Sequence, residues 1–149
     1  MKLPALYNRV KREMTQLVHL EPVRKKYHEA DTMKYHAYRT KDPELVAKAV
    51  MIKEASIRRI GELMEAQRKA GMLAKGARES GTKRGTTRGQ TRPASLAIQG
   101  IDKNLAKIAR KSAAMEEDKF DCNAVKIVKR AVDAVTHSRQ TKRVRSWVG

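Results

Sequence analysis

Apolar side chains recur at helical intervals over most of this chain. The clearest start is Asp42-Pro43-Glu44, where Asp42 suits the N-cap, Pro43 the first helical position and Glu44 the positive end of the dipole. From there Leu45, Ala49, Ile52, Ile60 and Leu63 recur at three, four or multiples of that spacing, flanked by Val46, Val50, Ile57 and Met64. The pattern predicts a helix of about six turns with a wide apolar face that needs a partner. A second stripe, Val23, Tyr27, Ala30, Met33 and Ala37, predicts the preceding helix and hence an antiparallel helical hairpin. Leu6, Val10, Met14 and Leu17 predict a third helix against it, with Pro4 and Pro22 placed to begin helices. No strand-like alternation of Val, Ile and Thr occurs in this half, and no glycine precedes Gly61. A dimeric coiled coil is the competing arrangement, although Ser56 interrupts its seam.

Periodicity returns after Ala94. The run SLAIQGIDKNLAKIARKSAAM has the outline of a helix-turn-helix: a short helix over Ala94 to Gln99, Gly100 at the turn, and a second helix from about Lys103 capped by Asp102. Leu105, Ile108, Ala109 and Ser112 are expected on its inner face. Lys103, Asn104, Lys107, Arg110 and Lys111 are expected outward, a mixture suited to base edges and phosphates. A last amphipathic helix is expected from Asp121 to about His137, burying Ala124, Ile127, Val128, Ala131 and Val135. The predicted fold is all-α. Residues 1–70 form a helical hairpin or three-helix module for docking or dimerisation, 71–93 a flexible arm, 94–137 a helix-turn-helix-like module, and 138–149 a basic tail.

The segment between the two helical regions breaks the pattern. GARESGTKRGTTRGQTRP resembles a phosphate-binding loop, but Thr82 precedes Lys83 where Lys must come first, and no buried strand leads into it. Its glycines and scarcity of apolar side chains predict flexibility in the free chain. Lys83, Arg84, Arg88 and Arg92 make it a cationic arm able to follow phosphates or enter a minor groove. Arg139, Lys142, Arg143 and Arg145 give the tail a similar character, with Trp147 available for stacking; disorder without a partner is expected there.

Charge points the same way. Among 149 residues, Lys and Arg number 34 against 16 Asp and Glu, a net charge of +18 that a polyanion would relieve. DNA, or RNA, is the partner this implies. No run approaches the roughly 18 to 20 apolar residues of a membrane span, and MKLPALYNRVKREM has no signal-peptide core, so a cytoplasmic location is expected. A single cysteine, Cys122, excludes an internal disulfide, and no two of His19, His28, His36 and His137 are four residues apart, so neither a metal nor another cofactor is expected. No nucleophile stands beside a base; Glu116, Glu117 and Asp118 are better placed to start a helix near Phe120, and no catalytic residues are expected. Tyr7, Tyr27, Tyr35 and Tyr38 are expected to edge the helical core, the other reading being stacking platforms for bases.

IKEASIRRIGELMEAQRKAGMLAKGA followed by SLAIQGIDKNLAKIARKSAAMEEDKFD resembles, in order, the IRxxAERRxGEL-like and LAxxGIxKxLAxxARKLAxxPExxFE-like stretches of small basic proteins from phages, prophages and other bacterial mobile elements. The likeness covers roughly residues 20 to 121. It implies a DNA-binding protein of mobile-element origin, from a family with no agreed enzymatic activity, with Gly100 in a turn and Lys103, Lys107 and Arg110 on the recognition helix. Two departures stand out: Ser112 replaces the family's usual Leu, and MEED lacks its usual Pro. The leading expectation is a non-catalytic DNA-binding regulator. A different class, an inhibitor of a host defence or RNA-guided nucleoprotein complex, is the alternative, and a protein that coats DNA without reading it is a third.

Overall fold

Helix α3 (Pro43–Lys69) is the axis on which the molecule is built. In the computed structural model, which describes residues 2–73 and 95–147 with side chains as far as Ser138, it packs against four other helices. These are α1 (Leu3–Thr15), α2 (Leu20–Thr40), α4 (Lys103–Ala114) and α5 (Glu117–Trp147). The architecture is all-helical, with five helices among the described residues. None of them is long and apolar enough to cross a membrane. The arm residues Lys83, Arg84, Arg88 and Arg92 lie outside the described residues.

Asp42 caps α3 as expected, its carboxylate accepting from the backbone N–H of Glu44 at 3.0 Å and Leu45 at 3.1 Å. The buried surface of α3 differs from the predicted stripe. Leu45 and Ile52 are only partly buried, whereas Ala47, Met51, Ala55 and Ser56 are buried. The reason is that α3 has neighbours around most of its circumference rather than along one face. Ser56 satisfies its hydroxyl by donating to the Ile52 carbonyl at 2.7 Å, which lets a polar residue sit fully buried at the midpoint.

Helix α2 runs into α3 through Lys41 and Asp42. Lys41 takes the left-handed conformation, φ 55°, and its ammonium donates to Ser138 Oγ at 2.6 Å and Ser138 O at 3.2 Å on α5. The predicted stripe of α1 holds in part: Met14 is buried and Val10 and Leu17 pack against the core, but Tyr7 is buried in place of Leu6, which is 41% exposed. Burial, reinforced by the negative charges of Asp121 and Glu54, pushes the Tyr7 phenol well above its ordinary pKa. Lys11 ties α1 to α5 through Asp121, at 2.6 Å, and Glu117.

Two cores result, one toward each end of α3. The first joins Tyr7 and Met14 of α1, Ala37 of α2, Val46, Val50 and Met51 of α3, and Phe120, Ala124, Val128, Ala131 and Val135 of α5. The second joins Leu20 and Val23 of α2, Ile57, Ile60, Leu63 and Met64 of α3, and Ile101, Leu105, Ala106 and Ala109. Each core therefore draws side chains from both sides of residues 74–94, so the helices after that segment are seated on those before it.

Helix α5 departs furthest from expectation. Its first turn carries Glu117 and Asp118, as the acidic run suggested, but Ile127 is 41% exposed while Phe120 enters the core. The helix does not end near His137; it continues to Trp147, through the segment expected to be disordered. No Gly or Pro occurs between Asp121 and Val148, and Arg, Lys and Gln favour helix, so nothing there terminates it.

Candidate nucleic-acid interface

Helix α4 is set by three devices. At its start, Asp102 caps it by accepting from the Leu105 N–H at 2.8 Å. Before that cap the predicted short helix over Ala94 to Gln99 is replaced, among its described residues, by a single turn. Ile101 N–H donates to Leu96 O at 2.9 Å and Gly100 N–H to Ala97 O at 3.0 Å. Gly100 adopts φ 76°, the left-handed geometry that closes such a turn and prevents it from propagating as helix. The Arg24 side chain lies directly over this glycine, so a methyl group there would come within 2.3 Å of Arg24 Nη1.

In its middle, α4 crosses α3 at Gly61. A methyl group on Gly61 would lie 2.1 Å from the Ala109 carbonyl oxygen, so only glycine lets the two backbones approach this closely. At its end, Arg58 donates through Nη1 to Ser112 O at 2.8 Å and Met115 O at 3.1 Å. The same guanidinium lies 5.0 Å from the Phe120 ring centroid.

These constraints decide which face points out. Leu105, Ala106, Ala109 and Ser112 are buried; Ile108, expected inside, is 51% exposed, its place taken by Ala106. The small Ala106 and Ala109 fit a close helix crossing that isoleucine would hold open. Lys103, Asn104, Lys107, Arg110 and Lys111 are all exposed. At about 100° per residue they fall within an arc of roughly 120°. The structure thus brings this sequence-derived set onto one surface.

The charge of that helix face is of one sign. From Lys103 to Ala114 there is no acidic residue, and neither the three lysines nor Arg110 makes an ion pair among the described residues. Elsewhere paired and unpaired cations alternate: Lys11 is held by Asp121 and Glu117, Lys53 by Asp31, Arg58 and Arg59 by Glu62 and Arg68 by Glu65, whereas Lys34, Arg39, Lys126, Lys129 and Arg130 have no ion pair among the described residues. Beside the arc lies an open cleft of about 600 Å³, lined by Leu96, Ala97, Ile101 and Ala106 and by the charged Asp102, Lys103 and Arg110.

The remaining predicted residues divide in two. Arg139, Lys142, Arg143 and Arg145 belong to the last turns of α5, where only the backbone is described. Lys83, Arg84, Arg88 and Arg92 fall outside the described residues. Two tyrosines differ from the expectation that all four edge the core: Tyr35 is 68% and Tyr38 38% exposed, whereas Tyr7 is buried and Tyr27 half-buried. No group of three or more His, Cys, Asp or Glu able to hold a metal occurs among the described residues.

The chain matches no known protein family, no curated protein and no solved structure.

Proposed function

We propose that this protein binds nucleic acid without catalysis, presenting the outer face of α4 to it. The observation that carries the reading is the unpaired cationic arc of Lys103, Lys107, Arg110 and Lys111, with Asn104 among them, on a helix held at both ends and along its inner face. Phosphate contacts fall to the lysines. Asn104 and Arg110 carry the donors and acceptors that read base edges in a major groove. The arm and the end of α5 add the charge of Lys83, Arg84, Arg88, Arg92, Arg139, Lys142, Arg143 and Arg145, and with it affinity that falls steeply with salt. On this reading the protein is a DNA-binding regulator of mobile-element type, with the Gly100 turn and α4 as its reading unit.

The test is duplex binding across a salt series. Converting Lys103, Lys107 and Lys111 to Gln is expected to flatten the slope of log K against log salt by about 3, close to one for each lysine neutralised. Asn104→Ala is expected to cost about 1–3 kcal/mol on a preferred site and little on random duplex. An unchanged slope and affinity in the triple variant would sink the reading.

A second reading has its own observation. A groove of about 510 Å³ between α1 and α3, lined by Leu6, Val10, Met51 and Ile52 with Arg9, Glu13, Glu44 and Lys48 as its charged residues, suits a protein partner. That partner would be a host nucleoprotein complex under inhibition, or a second copy of the chain. Tight binding to a purified host complex with only weak binding to free duplex would favour inhibition, and a concentration-dependent mass would favour dimerisation.

A further inference from the structure

Helix α2 carries a surface that the α4 reading does not use. Tyr35 and Tyr38, three residues apart and therefore neighbours on the helix, both face solvent, at 68% and 38% exposure. Each ring has its own cation: the Arg39 guanidinium stands 6.0 Å from the Tyr35 centroid and the Lys34 ammonium 6.0 Å from the Tyr38 centroid. Neither cation makes an ion pair among the described residues, and no acidic residue occurs from Thr32 to Lys41. Asp31, one turn before Tyr35, is held by Lys53. Burial explains the other tyrosines: Tyr7 sits in the first core and Tyr27 lies against the Lys53 ammonium, 5.3 Å away. Nothing in the fold requires large apolar rings at Tyr35 and Tyr38.

We infer that Tyr35 and Tyr38 form a stacking platform for the unpaired bases of single-stranded nucleic acid, with Lys34 and Arg39 beside the adjoining phosphates. Two exposed rings on a convex helix offer flat faces, and a base offers a matching face only when it has left a duplex stack. Stacking tolerates any base, so the site grips without reading sequence. The flanking cations suit a polyanion, and the nearest carboxylates, Asp31 and Glu54, lie beside Lys53, with Asp31 paired to it. Arg24, which lies over Gly100 at the entrance to α4, is eleven residues earlier on α2, about 16 Å along the axis. One extended strand can therefore reach both surfaces. The inference rests on the proposed function only for the class of ligand.

The experiment is fluorescence anisotropy of the full chain with labelled oligothymidine and with a duplex of equal length, at two salt concentrations. Y35A/Y38A is expected to weaken single-strand binding by about tenfold or more while duplex binding changes less than about twofold and the salt slope holds. Y35F/Y38F, which keeps both rings, is expected to bind like the parent. Both rings are exposed, so the melting temperature of each variant should stay near the parent value and a folding defect would be visible separately. Single-strand affinity unchanged in Y35A/Y38A, or lost equally for both strand forms, overturns the inference. Loss of duplex binding only in the triple α4 variant, with the tyrosine variants unaffected, removes this platform and leaves the proposed function standing. Loss of single-strand binding only in the tyrosine variants, with the α4 variant unaffected, does the reverse. A parent protein that binds neither oligonucleotide removes both.

Discussion

Arg58 and Arg59 are consecutive on α3 and finish two different helices. Arg58 donates to the Ser112 and Met115 carbonyls at the end of α4, at 2.8 and 3.1 Å. Arg59 donates to the Leu17 and Thr15 carbonyls at the end of α1, at 3.0 and 3.3 Å. Glu62 holds both, 3.3 Å from Arg58 Nε and 3.0 Å from Arg59 Nη1. Consecutive positions on a helix diverge by about 100°, so one peptide unit of α3 serves neighbours on two sides. The last carbonyls of a helix have no intrahelical donor, and a guanidinium can supply several N–H groups while staying ion-paired.

Arg58→Ala is therefore expected to destabilise the fold by about 1–3 kcal/mol, since it takes the Arg58 donor from the Met115 carbonyl, leaves the Ser112 carbonyl with only the Met115 N–H at 3.3 Å, and removes the cation over Phe120. Arg58→Lys should recover only part of this, because an ammonium lacks the planar fork. Urea denaturation measures the loss; a change of less than about 0.5 kcal/mol for Arg58→Ala would mean that water closes α4 equally well. Hydrogen exchange in the last turn of α4 should rise in the same variants.

Gly61 makes a sterically stricter demand. The atom that a methyl group would meet at 2.1 Å is a backbone carbonyl oxygen, which cannot swing aside. Gly61→Ala is expected to cost about 1–3 kcal/mol or more by forcing α4 off α3. Duplex binding should weaken with it, because the cationic arc rides on that crossing. A melting temperature equal to the parent's would show that the helices separate without penalty.

Gly100 is constrained by its backbone angle instead, and the two glycines can be told apart by Asn. At φ 76° Gly100→Ala should cost about 1–2 kcal/mol, whereas Gly100→Asn should cost less, since Asn tolerates the left-handed region and Arg24 is a flexible neighbour. Gly61→Asn should be worse than Gly61→Ala. Thermal melts of the four variants test the ordering, and Asn no better than Ala at Gly100 would assign its role to the close approach of Arg24.

Local signals are the legible ones in this sequence. Asp42-Pro43 and Asp102 announce helix starts and Gly100 a left-handed turn through their own chemistry, and the structure uses each that way. The outward set on α4 can be read because its polar residues cluster at helical spacing. What cannot be read depends on neighbours distant in the chain. Ile108 is left exposed while Ala106 enters the second core, a choice set by how α4 seats on α3 at Gly61, far earlier in sequence, where Ala109 and Ala113 make the close approach. Leu6 yields to Tyr7 because α1 must meet Asp121 and Phe120 of α5. The Arg58-Arg59 pair reads as surface charge until the helix ends it closes are in place. The length of α5 is obscured for another reason: a basic composition suggests disorder, although Lys, Arg and Gln are also good helix formers.

Lys53 stands between two carboxyls that burial and pairing push in opposite directions. Burial raises the Glu54 carboxyl above its ordinary value of 4.5, and the charges of Lys53 and Lys34 only partly offset this. Asp31 is lowered from 3.8 by the hydrogen bond from Lys53, against a smaller opposing effect of burial. Because Glu54 is raised in the folded state, its contribution is intact below the unfolded value, and stability is lost as pH rises through the folded one. Asp31 behaves oppositely, contributing above its unfolded value and losing that contribution as pH falls through the depressed folded one. Glu54→Gln, which keeps the shape without the charge, should therefore be more stable than the parent at neutral pH, with the advantage shrinking as pH falls toward and below 4.5. Asp31→Asn should be less stable than the parent at neutral pH and converge on it in acid. Urea denaturation of the three proteins at neutral and acidic pH separates these signs; a Glu54→Gln difference that does not change with pH would show that this carboxyl ionises as freely in the fold as in the unfolded chain.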